Sequence, residues 1–262
     1  MPIPVRYVPI TSVLEDQIAE VLDRSPKALK LQQRPTGAWG DNNSEQVIEL
    51  TAAVAGAIGA VEPNAEEVKK ACDWLGQQAP QNDEPWAVGT VATRLGFMAG
   101  LCDFEEHGRV IRSDLVFLTQ AQTENGGWGD RSADEMARRG VMVQPSHLRT
   151  VQALSALQSA RYAGLEPDSR VWRDAMKYWT DAQSYGGGFT DRLSQIGGVG
   201  QVTTTGYTAL AAGALMVSLD MASGLGGRRC TAYLASAQQL RAIDSAMAWL
   251  EENYDKELHA VG

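Results

Sequence analysis

Positive charge is scarce in this chain of 262 residues: 23 Lys and Arg stand against 32 Asp and Glu, for a net charge of -9 and a pI near 4.9. Neutralising phosphates takes a basic face, so this balance argues against nucleic acid as a partner and against docking on an anionic membrane surface. Cysteine is scarce too. Cys72, Cys102 and Cys230 lie far apart, form neither a CxxC nor a close Cys/His pair of the zinc-binding kind, and read as small core or surface residues of a reducing compartment. No apolar run approaches the length of a membrane span, and the opening stretch, Met1 to Val13, lacks the charged and apolar regions of a signal peptide. The expectation is a soluble, cytoplasmic protein. Strand-like alternation is also nearly absent, which leaves an all-α chain.

What the chain does contain is one pattern three times over. Gln33, Gly37, Trp39 and Asp41 stand at fixed offsets that recur as Gln122, Gly126, Trp128 and Asp130, and again as Gln183, Gly187, Phe189 and Asp191. A glycine with a fixed aromatic behind it, repeated at intervals of tens of residues, marks an array of stacked copies of one supersecondary unit. The hydrophobic content of 44% suffices for a large core, and no Pro/Ser-rich linker divides the array, so a single domain over 1–262 is expected.

Between the motifs two kinds of helical segment alternate. Ser44 to Ala60, Pro85 to Cys102, Ser146 to Ala163 and Val202 to Met221 are small, apolar and threonine-rich around most of their circumference, as suits an inner layer packed on nearly all sides. Ser12 to Gln33, Ala65 to Gln78, Ile111 to Gln122, Ser169 to Gln183 and Ala242 to Tyr254 are amphipathic and charged, as suits an outer layer. Ser44 and Ser146 are expected N-caps and Pro85 a first helical residue, while Gly108 reads as a break. Outer segments end in Gln33, Gln78, Gln122 and Gln183, with Gln239 as a weaker fifth. Their amides are expected to satisfy carbonyls at the end of their own helix, while the glycine permits the chain reversal and the ring stacks on the next helix.

The strings Gln122-Thr-Glu-Asn-Gly-Gly-Trp-Gly-Asp130 and Gln183-Ser-Tyr-Gly-Gly-Gly-Phe-Thr-Asp191 resemble the QW motifs of the prenyltransferase and squalene-cyclase repeat superfamily. The inner segments around Thr51-Ala52-Ala53, Thr150 and Thr208-Ala209-Leu210 resemble that family as well, so the likeness runs from about Lys27 to Tyr254. It implies an α/α toroid, concentric inner and outer helices about a central cavity. Four inner and about five outer segments are fewer than a closed ring of this family uses. The expectation is therefore an incomplete or small α/α barrel of helical hairpins, with a homo-oligomer or a partner completing the ring as one way to close it.

The family's chemistry is less well matched than its fold. The Asp-x-Asp-Asp acid of class II terpene cyclases does not occur, and Asp103-Phe-Glu-Glu106 is the nearest acidic string. The Asp, Cys and His that hold zinc in protein prenyltransferases find only His147 at an inner-helix start, so neither a metal nor another cofactor is expected. The GCGEQ thioester and the His/Cys zinc set of lanthionine cyclases are missing too.

In such a ring the N-terminal ends of the inner helices converge at one mouth, and the candidate site residues are those before or at these ends. Asp83, Glu84, Asp130 and His147 are the candidate catalytic groups, because a carboxyl in an apolar cavity is shifted towards its protonated form and can act as an acid. Trp86, Thr204 and Tyr207 are the candidate pocket residues. Asp134, Glu135 and Asp191 lie in the same loops. Each has a structural counterpart reading: Asp130 and Asp191 as corner braces, Asp83 and Glu84 as helix-start carboxylates, His147 as a polar cap. The resulting expectation is a terpene-cyclase-like toroid that holds an apolar, isoprenoid-type ligand, with acid-initiated cyclisation of the isomerase or lyase kind as its enzymatic form. A non-catalytic scaffold is the alternative, and an acidic chain fits a polysaccharide-lyase barrel poorly.

Overall fold

A computed structural model of the protein describes residues 12–41, 44–79, 86–132, 136, 138, 140, 142–190, 203–223 and 237–260. Its contacts cluster into two compact units, 1–77 and 78–262.

The first unit contains α1 (Ser12–Lys30), α2 (Glu45–Val61) and α3 (Glu66–Gln77). Ser44 caps α2 by accepting from Val47 N, as its position before the apolar run requires. α2 packs on both α1 and α3 and buries Ile48, Thr51, Ala52, Ala55 and Ile58. α3 buries Val68, Ala71, Cys72, Trp74 and Leu75 on one stripe and leaves its carboxylates and lysines outside.

The second unit contains α4 (Val88–Leu101), α5 (Phe104–Gln120), α6 (His147–Tyr162), α7 (Ser169–Ala182), α8 (Thr205–Ser223) and α9 (Ala237–Ala260). The apolar helices pack in series, α4 on α6 and α6 on α8; α5 covers α4 and α6, while α7 and α9 cover α8. Small residues set the spacing, since a Cβ added at Gly96 would lie 3.7 Å from the Ala156 Cα. The described residues contain no strand, only the isolated bridges Trp128–Ser146 and Thr190–Thr203, and the all-α reading holds.

The three repeated corners are built alike, with matching hydrogen bonds equal to within 0.2 Å. Gln33, Gln122 and Gln183 each donate from Nε2 to the carbonyl four residues on, of Gly37, Gly126 and Gly187 respectively, at 2.9, 2.9 and 2.8 Å. The same nitrogens also donate to Glu67 O, Val171 O and Ala242 O near the start of the following outer helix. This corrects the expected role of the amide. It ties the loop to the next outer helix, not to the end of its own. The aromatic residue's backbone N–H then donates to a buried threonine hydroxyl on the inner helix, Trp39 to Thr51, Trp128 to Thr150 and Phe189 to Thr208, each at 3.0 Å. Both tryptophans add a bond from Nε1 back to the preceding outer helix, Trp39 to Leu29 O and Trp128 to Leu118 O. The glycines are obligatory: φ is +98°, +86° and +93°, and a Cβ at Gly126 would lie 1.9 Å from the Asp174 carbonyl oxygen.

Other expectations need revision. α5 begins at Phe104, not Ile111, because Asp103 caps it by accepting from Glu105 N at 2.7 Å and Gly108 continues the helix beneath the Phe104 ring. Gln239 lies in the first turn of α9 and ends nothing. α4 starts at Val88 after Ala87, and Pro85 lies outside the described residues. Cys72 and Cys102 are both disulfide-bonded. Free thiols were the basis for expecting a reducing compartment; cystines withdraw that support, since disulfides persist in oxidising surroundings. No helix among the described residues is long and apolar enough to cross a membrane.

Candidate functional site

The apolar helices of the second unit are not packed on all sides. Between α6 and α8 runs an open groove of about 390 Å³, lined by Val151, Leu154 and Ser155 on one wall and by Ala209, Leu210, Gly213, Ala214 and Val217 on the other. One hydroxyl apart, every lining side chain is apolar, and the volume lies in the range of small-molecule sites. A core-facing and a groove-facing surface look the same in sequence, which is why the exposed side of these helices was not expected. Leu148, Leu210 and Met216 are exposed on the same two helices.

Helical spacing extends both walls towards one end. His147, Val151 and Leu154 fall at i, i+4 and i+7 on α6; Tyr207, Leu210 and Ala214 fall at i, i+3 and i+7 on α8. The His147 and Tyr207 rings are 6.2 Å apart, one helical turn before the residues that line the groove. His147 is buried, with Nδ1 2.8 Å from the Tyr178 hydroxyl and its ring 4.9 Å from Trp179; Phe189 completes the cluster at 6.3 Å. Tyr178 and Trp179 come from the buried stripe of α7, where the sequence shows only an amphipathic helix. They are the residues that sequence reasoning missed at this end.

The structure distributes the candidate residues unevenly. His147 and Tyr207 come together one turn before the groove lining. Thr204 stands just before α8, where its Oγ1 accepts from Tyr207 N at 3.2 Å and its own N–H donates to Phe189 O, so it fixes the turn that presents Tyr207. Asp130 is elsewhere in character: its carboxylate is three-quarters exposed and receives the Arg149 Nε at 2.8 Å, while its carbonyl accepts from Val88 N. Arg149 also bonds Gln152 and lies so close over Gly89 that a Cβ there would meet Nη1 at 2.2 Å. Asp130 thus ties the starts of α4 and α6 together. Asp83, Glu84, Asp134, Glu135 and Asp191 lie outside the described residues.

Trp86 belongs to a different constellation. Its ring sits under Arg94, with the guanidinium carbon 4.0 Å from the ring centre, and Arg94 pairs in two-pronged fashion with Asp114 of α5, Nε to Oδ2 at 2.7 Å and Nη2 to Oδ1. Nη1 donates to Gln78 O at 3.1 Å. Both charged side chains are almost fully buried, at 5% and 3% exposure. Burial pushes the Asp114 carboxyl above its usual value, and the charge and hydrogen bond of Arg94 draw it part of the way back. Where the repeated corner motif lapses, before α4, an arginine does the work that a glutamine amide does in the other three corners. The first unit has a hollow of about 260 Å³ lined by Arg34, Asp41, Trp74 and neighbouring loop residues. It lies on the corner itself, and Arg34 and Asp41 are paired with each other.

No family model matches the chain, and no curated protein matches it. Solved structures do. A variant of the type II terpene cyclase MstE from Scytonema, in complex with geranylgeranyl dihydroxybenzoate as substrate, is similar with a TM-score of 0.57 at 16% identity, over 90% of this chain and 63% of that one. A variant in complex with the product merosterolic acid A is similar with a TM-score of 0.55 at 15% identity, over 95% of this chain and 66% of that one. The apo enzyme gives 0.55 at 17% identity, over 90% and 63%. The chain spans 63% of the length of the first of these. At this level of identity the likeness is one of fold: the protein has a helical fold of the terpene-cyclase kind.

Proposed function

We propose that the chain binds an apolar, isoprenoid-type ligand along the groove between α6 and α8. The observation that carries this reading is the groove itself, about 390 Å³ of apolar lining on two inner-type helices. Apolar surface of this extent left in water favours an occupant at roughly 25 cal/mol per Å² covered. The fold adds support, since the similar cyclase is seen with a geranylgeranyl compound and with its product.

Cyclisation initiated by an acid is the enzymatic form of this reading. It needs a proton donor against the ligand. Asp130, exposed and held by Arg149, suits bracing better than donation, whereas His147 stands on the groove stripe and is hydrogen-bonded to a phenol. Asp83 and Glu84 remain candidate acids by their place in the sequence. The test is equilibrium binding of geranylgeraniol and geranylgeranyl diphosphate to the purified protein, followed by extraction and mass analysis for cyclised products. Binding with products establishes an enzyme; binding without products establishes a ligand-binding toroid; absence of binding overturns the reading.

A second reading is favoured by the exposure of Leu148, Leu210 and Met216: a module whose groove face is covered by another protein or a second copy. A dimer or larger species in sedimentation, together with no ligand binding, is what this alternative predicts.

A further inference from the structure

We propose that Asn125 is a self-modification site: when the second corner opens, the side-chain amide converts to aspartate or isoaspartate, and the isoaspartate form cannot close the corner again. The chain holds six asparagines, and only Asn125 is followed by glycine; the others precede Asn43, Ser44, Ala65, Asp83 and Tyr254. A glycine has no side chain to hinder approach to its backbone nitrogen. Asn125 is exposed at the tip of the turn. In the other two corners the same position is held by Thr36 and Gly186, which carry no amide side chain, so the chemistry is confined to this corner.

The reaction needs water and nothing else. The Gly126 backbone nitrogen attacks the Asn125 side-chain carbonyl carbon, a new C–N bond closes a five-membered imide, and the amide nitrogen leaves as ammonia with the proton that Gly126 gives up. Water then opens the ring at one of its two carbonyls. Opening at the side-chain carbonyl leaves aspartate; opening at the main-chain carbonyl leaves isoaspartate, whose main chain runs through the β-carbon and is one atom longer. Asparagine is counted among the thermolabile residues.

The closed corner withholds the attacking nitrogen. Gly126 N donates to Thr123 O at 2.8 Å, and the imide carries no hydrogen on that nitrogen, so ring closure removes this bond. Gly126 is also pressed against the next outer helix, where an added Cβ would lie 1.9 Å from the Asp174 carbonyl oxygen. Conversion therefore waits on local opening of the corner. Asn125 lies inside the loop that Thr123 closes, its N and its Oγ1 each donating to Gly127 O at 2.9 Å, and that Gln122 Nε2 closes at Gly126 O, also at 2.9 Å. An extra main-chain atom within this loop keeps these bonds from re-forming together. The Trp128 N to Thr150 bond, 3.0 Å long, comes next along the chain, so the tie between the corner and the start of α6 is loosened with them.

The experiment incubates the whole protein in mildly alkaline buffer and follows every asparagine by peptide mass mapping. It compares wild type, Gln122→Leu and Gln183→Leu, with wild type in urea as the open reference and urea unfolding of each variant as the folding control. Wild type is expected to convert Asn125 before any other asparagine, and at least about tenfold more slowly than the unfolded chain does. Gln122→Leu is expected to raise the rate about five- to thirtyfold, the shift in opening that two lost hydrogen bonds bring. Gln183→Leu loosens the third corner instead and is expected to leave the rate at Asn125 unchanged. Where Gln122→Leu does not fold, Thr150→Val, which frees the Trp128 N–H of the same corner, takes its place. The isoaspartate form, separated by chromatography, is expected to unfold at lower urea than the unconverted protein. Equal rates in folded and unfolded wild type, earlier conversion at another asparagine, equal acceleration by the two glutamine variants, or equal unfolding midpoints of the two forms overturns the proposal. So does conversion in the unfolded chain with none in the variant whose second corner is loosened.

Discussion

Replacing Gln122 by Glu should destabilise the second unit more than replacing it by Leu, although Glu is the closer match in shape. In the folded protein the Gln122 amide nitrogen donates to two carbonyls, Gly126 O and Val171 O, both at 2.9 Å. Leu removes two part-buried hydrogen bonds, each worth about 0.5–1.5 kcal/mol net, so the loss is about 1–3 kcal/mol. Val171 lies in the first turn of α7, so its carbonyl retains its helical partner and the estimate belongs towards the lower half of that range. Glu loses the same two bonds and in addition points acceptor-only oxygens at two carbonyl oxygens, adding repulsion to the loss. The assay is urea denaturation with a common m-value, and Gln120→Glu, at an exposed position outside the corner, serves as control with an expected change within about 0.5 kcal/mol. If Gln122→Glu at neutral pH is as stable as wild type, the amide is not the tie between the loop and α7, and the account of the corner is wrong.

Three further outcomes follow from the same structure. Gly126→Ala should be more damaging than either Gln122 variant, by about 3 kcal/mol or more, because φ is +86° and the new methyl meets the Asp174 carbonyl at 1.9 Å; Gly186→Ala, with open space around it, should be near neutral in the same denaturation assay. Thr150→Val keeps the shape but removes the acceptor of Trp128 N, so about 1–3 kcal/mol should be lost in thermal or urea unfolding. Asp114→Ala leaves the buried Arg94 guanidinium without the acceptor of its two-pronged contact and should lower stability by about 3–5 kcal/mol near pH 7. Because the folded-state value of Asp114 is raised above 3.8, the native state holds its proton more tightly than the unfolded chain does. The stability this group contributes is fully present below 3.8 and falls away as pH rises through the folded value, so wild type should gain on Asp114→Ala as pH is lowered towards 3.8 in paired denaturation curves.

The corners were legible because their parts are side chains with few other uses at that spacing: a glutamine at a helix end, a glycine that must take positive φ, and an aromatic two residues later. What the glutamines reach was not legible. Glu67, Val171 and Ala242 contribute only backbone carbonyls, which every residue has, at separations of 34, 49 and 59 residues. The threonines that receive the aromatic N–H groups were visible as the Thr-Ala runs of the inner helices, but their role was not, since a hydroxyl on an apolar helix can also bond its own turn, as Thr150 does with Ser146 O. Gly108 misled because glycine weakens a helix without forbidding it. Here it admits the Phe104 ring, over which Arg112 lies at 4.9 Å, and the Asp103 cap with its acidic first turn outweighs the breaker. The Arg94–Asp114 pair joins two helices across 20 residues, with nothing in either neighbourhood to announce it. Around the groove, the helix-start positions His147 and Tyr207 were named by topology alone, whereas their neighbours Tyr178 and Trp179 were hidden within an amphipathic stripe that is core by default.

The groove between α6 and α8 is the claim on which the functional account stands, and Gly213 addresses it most directly. Gly213 lines the groove, and a Cβ added there meets nothing within 4 Å. Gly213→Phe fills the groove from an exposed helical position, where leaving glycine adds up to about 1 kcal/mol of helix stability. Binding of geranylgeraniol to Gly213→Phe and to wild type, measured beside their unfolding curves, should show at least about a tenfold loss of affinity with no loss of stability. Unchanged affinity in a fully folded Gly213→Phe protein would place the ligand elsewhere and contradict the account.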